Sequence, residues 1–303
     1  MYLVDNGSTD GSVEFITEHY PAVKVIRFDQ NLGFAAAYNR AVSSVEEELV
    51  VFLNNDTEVE QGWLAELKSG LEIPTNRLAA CGSKILLYDD RSVVNHAGGM
   101  LVPIGAGIDL GLMMPDQQDA HRQRFVGCVS AASMIMPRSI FLQLGGFDAE
   151  FFAYFEDVDL CWRAWLAGYR VAYRSSSRIY HKLSATMGPF LKPERLFLGE
   201  RNRLQCMLKN LGLWNLTLAV PVSCFYTLRR LLGFLRSRKP AAALAVLRGD
   251  WWVLTHLPRI VTKRRRVQQS RRISDAFLTA HGLMASFGEG LREFARLAPL
   301  RTS

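Results

Sequence analysis

The sequence lacks paired cysteines, proline-rich segments and internal repeats. It has five cysteines, an odd number with no Cys-x-x-Cys pair: Cys81, Cys128, Cys161, Cys206 and Cys224. This set favours reduced thiols over a disulfide framework or a zinc site. With 11 prolines and 23 glycines in 303 residues, the chain is neither collagen-like nor a disordered Pro/Gly tail. A secretory signal is not expected, because Asp5 and Asp10 interrupt the first apolar stretch.

Acidic residues are scarce in the last third of the chain. Residues 1–200 carry 17 Lys/Arg and 25 Asp/Glu, a net charge of −8, whereas residues 201–303 carry 19 and 4, a net charge of +15. A chain with 49% hydrophobic residues has room for a large core. We therefore predict an enzyme-like domain over residues 1–195 and a basic, membrane-associated helical region over 196–303 that meets something anionic.

Apolar runs alternate with polar turns and helical patterns in the first part of the chain. Residues 2–4, 23–28 and 49–53 read as strands, and each is followed by a polar turn. This alternation is typical of an α/β protein with an open, mostly parallel sheet flanked by helices. Ligands bind at the carboxyl ends of the strands in such sheets, and Asp5 and Asp56 fall at those positions.

Five motifs occur in order between Tyr2 and about Met187. They are residues 4–11, residues 31–34 with Asn39, residues 53–56, residues 145–148, and residues 155–160 with Arg163. Together they resemble the successive motifs of family 2 glycosyltransferases with the GT-A fold, in particular the rhamnosyltransferase-like branch that builds cell-surface polysaccharides. The resemblance implies transfer of a sugar from a nucleotide-diphosphate donor.

By this resemblance, the nucleotide-sugar donor is bound by the N-terminal motifs and by two asparagines after the third strand. The implied nucleotide-sugar-binding residues are Asp5, Asn6, Gly7, Asn31, Gly33, Asn54 and Asn55. Apart from the resemblance, both residues have a structural alternative. Asp5 is a good turn former ahead of Asn-Gly-Ser, and Gly33 suits any tight turn.

A divalent cation, Mn²⁺ or Mg²⁺, is the implied cofactor, because it can stabilise the charge that develops on a departing diphosphate. The family carries an aspartate-x-aspartate pair here. In this chain Asn54 takes the first position and Asp56 the second, and the resemblance adds His181 as a further ligand. The alternatives are that Asp56 caps the following helix and that His181 bonds a backbone carbonyl.

The densest signal is three carboxylates within four residues, flanked by aromatic side chains. On a helix Glu156 and Asp159 share a face, Arg163 can pair with Asp159 one turn later, and Asp157 is left free. The resemblance makes Asp157 the general base of an inverting displacement without a covalent intermediate. It makes the acceptor-binding residues Glu156, Asp159, Arg163, Gly146 and Phe147. The alternative is a solvated helix start that favours acids.

The basic region combines apolar and cationic segments. Nineteen uncharged residues separate Lys209 from Arg229, which as a helix is about 28 Å long and barely spans a bilayer. Residues 259–272 hold seven cations and no acid. We expect residues 210–272 to lie on an anionic membrane surface, on the cytoplasmic inner face. The alternative is an ordinary helical subdomain, and nucleic acid is not expected because no recognition motif accompanies the cations.

Two functions remain open. Family members have a further strand before the position of Asp5, so we hypothesise that the natural chain begins upstream. The first function is an active glycosyltransferase that moves a sugar such as rhamnose to a hydroxyl of a glycan or lipid-linked acceptor. The second is a non-catalytic, membrane-bound partner protein that has lost its donor half-site.

Overall fold

The computed structural model describes residues 1–72, 77–117, 123–182, 192–290 and 292. The strands in these ranges are β1 (Tyr2–Asp5), β2 (Lys24–Arg27), β3 (Leu49–Leu53), β4 (Thr57–Val59), β5 (Leu78–Leu87), β6 (Val94–His96), β7 (Gly99–Val102), β8 (Ala106–Asp109), β9 (Gln123–Phe125), β10 (Ser133–Pro137) and β11 (Arg170–His181). The helices are α1 (Ser12–His19), α2 (Phe34–Ser43), α3 (Trp63–Ser69), α4 (Arg138–Gln143), α5 (Glu156–Leu166), α6 (Pro193–Asn210), α7 (Leu213–Arg236), α8 (Pro240–Thr255), α9 (Leu257–Gln269) and α10 (Asp275–Ala280). A 3-10 turn covers Ala149–Phe151.

The main sheet has the strand order β3-β10-β5-β11-β4, with β6 and β9 paired to β5 and β11. Strand β10 runs antiparallel to both β3 and β5, and β5 runs parallel to β11. Strands β3, β5 and β11 therefore point the same way, and their carboxyl ends share one edge.

The predicted open sheet flanked by helices is confirmed, but it is more mixed than expected. The described chain between β5 and β10 contains strands β6 to β9 and no helix. Parallel neighbours are usually joined by a helical crossover, whereas β10 follows these strands and runs antiparallel to β5. At the N-terminus β1 and β2 form a separate parallel pair joined by α1.

The core is continuous from the sheet into the basic region. Phe52, Phe141 and Phe147 pack with ring centroids 5.1 to 5.2 Å apart. The same core cluster includes Cys206 of α6 and Met284 after α10. The predicted boundary at residue 195 therefore does not coincide with a break in the packing.

Helix α7 presents an unusual distribution of side chains. Its buried residues are Ala219, Ser223 and Thr227, spaced four apart on one face. Large apolar side chains elsewhere on the helix are exposed, including Trp214 at 77% and Phe225 at 62%. Within the described residues, α7 is the one helix long and apolar enough to cross a membrane, judged by length and composition alone.

Candidate active site

Two loops after β1 and β2 are held together by amide hydrogen bonds. Asn6 donates through Nδ2 to Asn31 Oδ1 at 3.0 Å and accepts from the Leu32 amide at Oδ1 at 2.8 Å. Asn31 Oδ1 also accepts from the Gly33 amide at 2.9 Å. The structure thus brings together the predicted donor-side residues Asn6, Asn31 and Gly33.

The two carboxylate oxygens of Asp5 have different surroundings. Its Oδ1 accepts from the Ser8 amide at 3.1 Å, which fits the turn-forming reading. Its Oδ2 is buried, has no hydrogen-bond partner, and lies 3.6 Å from Arg27 Nε. Gly7 has φ +83°, and a Cβ there would lie 2.9 Å from the backbone of Gln30. Only glycine fits this close approach of the two loops.

Gly33 joins the donor side to the acidic motif. It has φ +80°, and a Cβ at this position would lie 2.5 Å from the Phe152 ring and 2.7 Å from the Phe152 carbonyl oxygen. The loop that leads to Asp157 therefore packs directly on the loop that follows β2. The close approach requires a glycine.

Asp56 and His181 meet at the shared edge of the sheet, although 125 residues separate them in sequence. His181 Nε2 lies 3.1 Å from Asp56 Oδ1, and this hydrogen bond is the main cause of a lowered Asp56 pKa. Two ligands that bind one cation at about 2.1 Å and near right angles lie roughly 3 Å apart. The pair therefore fits a divalent cation, although no group of three or more His, Cys, Asp or Glu residues that could hold one occurs in the described ranges.

The two asparagines before Asp56 have different surroundings. The Asn54 side chain bonds Asp56 and helps to lower its pKa, while the Asn54 carbonyl accepts from Thr57 Oγ1 at 2.6 Å. Asn55 is exposed. Asn54 thus adjoins the candidate cation site in the place of the missing carboxylate.

The loop before α5 is held in an unusual backbone conformation. Phe152, Tyr154 and Phe155 all have positive φ, between 62° and 72°. Non-glycine residues adopt this region at a cost, so the surroundings must hold the loop in place. The buried Asn202 of α6 does this, because its Nδ2 donates to the carbonyls of Phe151, Ala153 and Tyr154 at 2.8 to 2.9 Å.

The carboxylates at the start of α5 differ in access. Asp157 is half-buried, and its oxygens accept from the amides of Ala131 at 3.1 Å and Val158 at 2.8 Å. Burial raises the Asp157 pKa, and these two hydrogen bonds partly offset the increase. Glu156 is buried with Oε2 unpartnered, and burial together with the Asp157 charge raises the Glu156 pKa well above its usual range. A base with a raised pKa and partial access suits proton abstraction near neutral pH.

Asp159 and Arg163 form the predicted pair one turn apart, with Arg163 Nε 2.8 Å from Asp159 Oδ2. Asp159 is fully buried and also contacts Lys209 Nζ and Asn210 Nδ2, each at 3.0 Å. Arg163 further donates to the carbonyls of Leu144 and Gly146. The prediction that these two residues bind the acceptor is therefore corrected, because their polar atoms are engaged inside the protein.

Gly146 and Phe147 are also corrected as acceptor contacts. The Phe147 side chain is 1% exposed and packs in the aromatic core. Its backbone exchanges two hydrogen bonds with the Asn39 side chain, at 2.7 and 2.9 Å. Gly146 has φ +66°, and a Cβ there would lie 2.4 Å from Asn39 Oδ1. This motif anchors α2 to the core instead of facing a substrate.

Sequence reasoning missed two groups beside the acidic motif. His96 Nδ1 at the end of β6 lies 2.7 Å from Asp109 Oδ1 at the end of β8, and both residues act electrostatically on the pKa of Asp157. Asn202 and Arg201 hold the loop before α5. The available signal was the run of charged and amide residues at 200–203 inside a helical pattern, which suits buried polar contacts better than a solvated face.

Comparison with known proteins identifies the family of the chain. The model of glycosyl transferase family 2 matches residues 1–94, and that of glycosyl transferase family group 2 matches residues 49–261. The chain is 32% identical over 211 residues to N-acetylglucosaminyl-diphospho-decaprenol L-rhamnosyltransferase of Mycobacterium tuberculosis, which covers 62% of this chain and 68% of that protein. It is 22% identical over 178 residues to a rhamnosyltransferase of Escherichia coli, covering 55% and 66%.

Other matches cover smaller parts of the proteins concerned. An O-antigen biosynthesis protein of Myxococcus xanthus is 31% identical over 203 residues, which are 64% of this chain and 16% of that one. The crystal structure of GalNAc-T7 with UDP, GalNAc and Mn²⁺ has a TM-score of 0.53 at 15% identity, covering 69% of this chain and 41% of that one, and supports the GT-A fold. The chain belongs to glycosyl transferase family 2, in its rhamnosyltransferase-like branch.

Proposed function

We propose that the protein is an inverting glycosyltransferase that moves rhamnose from a dTDP-type nucleotide-diphosphate donor to a hydroxyl of a glycan or lipid-linked acceptor. The observation that carries the proposal is the contact between Phe152 and Gly33. It places the loop before Asp157 against the donor-side loops, so a base and a donor can act on one reacting centre.

The donor side would be formed by Asp5, Asn6, Gly7, Asn31 and Gly33. The buried Asp5 Oδ2 pairs with Arg27 at 3.6 Å but accepts no hydrogen bond, so it can accept one from a hydroxyl or a ring N–H of the nucleotide. Asp56 and His181 would hold a divalent cation, with Asn54 and Asn55 close to it. When bound, that cation would stabilise negative charge on the diphosphate. The crystal structure of GalNAc-T7 contains UDP and Mn²⁺, which supports a nucleotide and a divalent cation as the ligands here.

Asp157 would take the proton from the attacking hydroxyl. Its raised pKa increases its basicity, and the Ala131 and Val158 amides hold its oxygens in one orientation. Attack on the anomeric carbon opposite the departing diphosphate inverts that carbon in one displacement. Glu156, buried beside Asp157, would shape the acceptor side. The acceptor class is supported by the mycobacterial relative, an N-acetylglucosaminyl-diphospho-decaprenol L-rhamnosyltransferase.

The helical region would dock on an anionic membrane at the cytoplasmic face. Helices α7 and α8 expose large apolar side chains that water disfavours: Leu213, Trp214, Leu218, Phe225, Leu228, Leu232, Leu244, Leu247, Trp251 and Leu254. An exposed apolar surface of this extent is typical of a membrane or protein interaction site. Exposed cations lie near it, including Arg229, Arg236 and Arg238 at the end of α7. Such a combination favours a helix pair lying on an anionic leaflet.

The polybasic run of residues 259–272 contributes less to this surface than the sequence predicts. Lys263 pairs with Asp148 and Glu150, and Arg264 donates to the carbonyls of Leu208 and Leu211. Arg271 pairs with Asp275. The exposed remainder of the run is Arg259, Arg265, Arg266 and Arg272.

Vesicle sedimentation tests the membrane proposal. We expect binding to vesicles with 30% anionic lipid that weakens at high salt, because the Debye length falls. Trp251→Glu should reduce binding, whereas Phe15→Glu, at an exposed apolar residue of α1, should not. Equal binding by all three proteins would exclude this surface.

The transfer reaction is tested with dTDP-rhamnose and a farnesyl-diphosphate-linked N-acetylglucosamine acceptor. We expect rhamnosylated product in Mn²⁺ and, by nuclear magnetic resonance, inversion at the anomeric carbon. If the protein transfers a sugar from another nucleotide donor and not from dTDP-rhamnose, that nucleotide sugar becomes the assigned donor. Absence of transfer from a panel of nucleotide sugars would favour the non-catalytic alternative.

A further inference from the structure

A groove lies between α6 and α8, beside the loop that leads to Asp157. It encloses about 580 Å³, which is within the range of small-molecule sites. Its lining includes Phe152, Phe197, Leu198, Leu244 and Ala245. Leu244 is 58% exposed and belongs to the apolar surface of α8. The groove therefore runs from that surface to the loop before the candidate base.

Two guanidinium groups line the apolar groove. Arg201 and Arg248 both lie over the Phe197 ring, 5.4 and 5.8 Å from its centroid. Arg248 is exposed, whereas Arg201 is 8% exposed and uses Nε and Nη2 in its described hydrogen bonds. The described lining of the groove contains one acidic residue, Glu194, and two cationic residues, so its net charge is positive.

Phe152 connects the groove with the donor side. One side of this residue lines the groove, and its ring would touch a Cβ on Gly33 at 2.5 Å. A ligand seated in the groove would thus be separated from the donor loops by one side chain. It would also lie near the loop held by Asn202.

We propose that this groove binds the diphosphate and the first isoprenoid units of a lipid-linked acceptor. The apolar walls suit a hydrocarbon chain, and the exposed guanidinium of Arg248 suits a diphosphate, which arginine recognises through paired hydrogen bonds. Arg201 adds a second positive charge to the groove lining. The opening toward the exposed face of α8 lets the rest of the chain stay in the membrane. This inference rests on the proposed function, since it assigns a place to the acceptor of that reaction.

Binding of farnesyl diphosphate below its micelle concentration, measured by titration calorimetry on the full chain without a sugar donor, tests the groove. We expect tighter binding than that of farnesol or inorganic pyrophosphate. Arg248→Ala should weaken binding at least about tenfold, whereas Arg265→Ala, at an exposed cation of α9, should leave it unchanged. Leu244→Glu should also weaken it, whereas Leu247→Glu, on the same helix but outside the groove lining, should not.

Equal weakening by Leu244→Glu and Leu247→Glu would overturn the proposal, because it would indicate a general apolar surface. Farnesyl diphosphate that binds no tighter than farnesol would also overturn it. These outcomes are separate from those for the proposed function. If the protein transfers sugar but fails the groove test, the proposed function stands and the groove assignment is lost. If it binds farnesyl diphosphate in the groove but transfers no sugar, the groove assignment stands and the proposed function is lost.

Discussion

Asn202 Nδ2 lies 2.8 Å from the carbonyl oxygen of Tyr154, two residues before Glu156. The same amide also bonds Phe151 and Ala153, so one buried side chain fixes the whole loop before α5. Because α6 also packs on α8, the exposed apolar surface of α8 and the candidate base are joined through one helix.

Replacing Asn202 should affect turnover more than donor binding. Asn202→Ala leaves three carbonyls without this donor, and a small displacement of Asp157 can cost about 100-fold in rate. We expect a fall in kcat of at least about tenfold with a donor KM within about threefold of wild type, measured under initial-rate conditions.

Asn215→Ala is the matched control, since its Nδ2 bonds Asp275 away from the loop. If both variants lose kcat equally in proportion to their melting temperatures, Asn202 has only a general structural role.

Asp157→Asn and Asp159→Asn should separate chemistry from stability. Loss of a general base costs about 10²- to 10⁴-fold in rate, so Asp157→Asn should lose kcat on that scale. Asparagine keeps one of the two acceptors for the Ala131 and Val158 amides, so the variant should still fold, at a cost of about 1–2 kcal/mol. Asp159→Asn removes the carboxylate that Lys209 and Arg163 share, although Lys209 keeps its ion pair with Asp148. This loss should cost about 3 kcal/mol in the free energy of unfolding. Urea unfolding and initial rates measure the two effects. If Asp157→Asn lost mainly stability and Asp159→Asn lost mainly kcat, the base would be assigned to Asp159 and the structural role to Asp157.

The buried Glu156 should make stability depend on pH. Its folded-state pKa is raised by burial and by Asp157, so the folded protein holds this proton to higher pH than the unfolded chain does. Its contribution to stability is thus lost as pH rises from about 4.3, the unfolded value, through the raised folded value.

Glu156→Gln should therefore gain stability relative to wild type between pH 5 and pH 8 in urea titrations. Glu14→Gln, at an exposed position, is the control. A constant difference between wild type and Glu156→Gln across this range would show that Glu156 is ionised in the folded as well as the unfolded protein, so that its folded-state pKa is not raised.

The asparagine at position 54 offers a gain-of-function test of the cation site. Asn54→Asp adds a second carboxylate beside Asp56, and hard divalent cations bind carboxylate oxygens. We expect about tenfold tighter Mn²⁺ binding by calorimetry. Asp56→Ala should abolish binding, while Glu58→Gln, an exposed neighbour paired with Arg91, should not change it. Unchanged Mn²⁺ affinity in Asp56→Ala would exclude this site.

Local patterns made part of the site predictable. Asp56 follows a buried strand and His181 ends another, so their meeting at one sheet edge could be predicted. The Asp159–Arg163 pair follows from helical spacing alone. The motif match also predicted the fold, although it did not reveal the antiparallel insertion of β10.

Other roles depend on contacts that sequence spacing does not encode. Phe147 stands in a motif that resembles an acceptor site, yet it fills the core because Asn39, 108 residues away, holds its backbone. The cations Lys263 and Arg264 look like part of a solvated basic face, but they meet Asp148 and the carbonyls that end α6. Each of these outcomes was decided by long-range packing.

The role of Asp157 as the base of a rhamnosyl transfer can be tested by comparing wild type with Asp157→Asn. The rate of transfer from dTDP-rhamnose to farnesyl-diphosphate-linked N-acetylglucosamine is measured for both proteins with Mn²⁺. We predict one dTDP released per rhamnosylated product in wild type, and a rate at least about 100-fold lower in Asp157→Asn, which still unfolds cooperatively. Equal rates for the two proteins would contradict the assignment of Asp157 as the base.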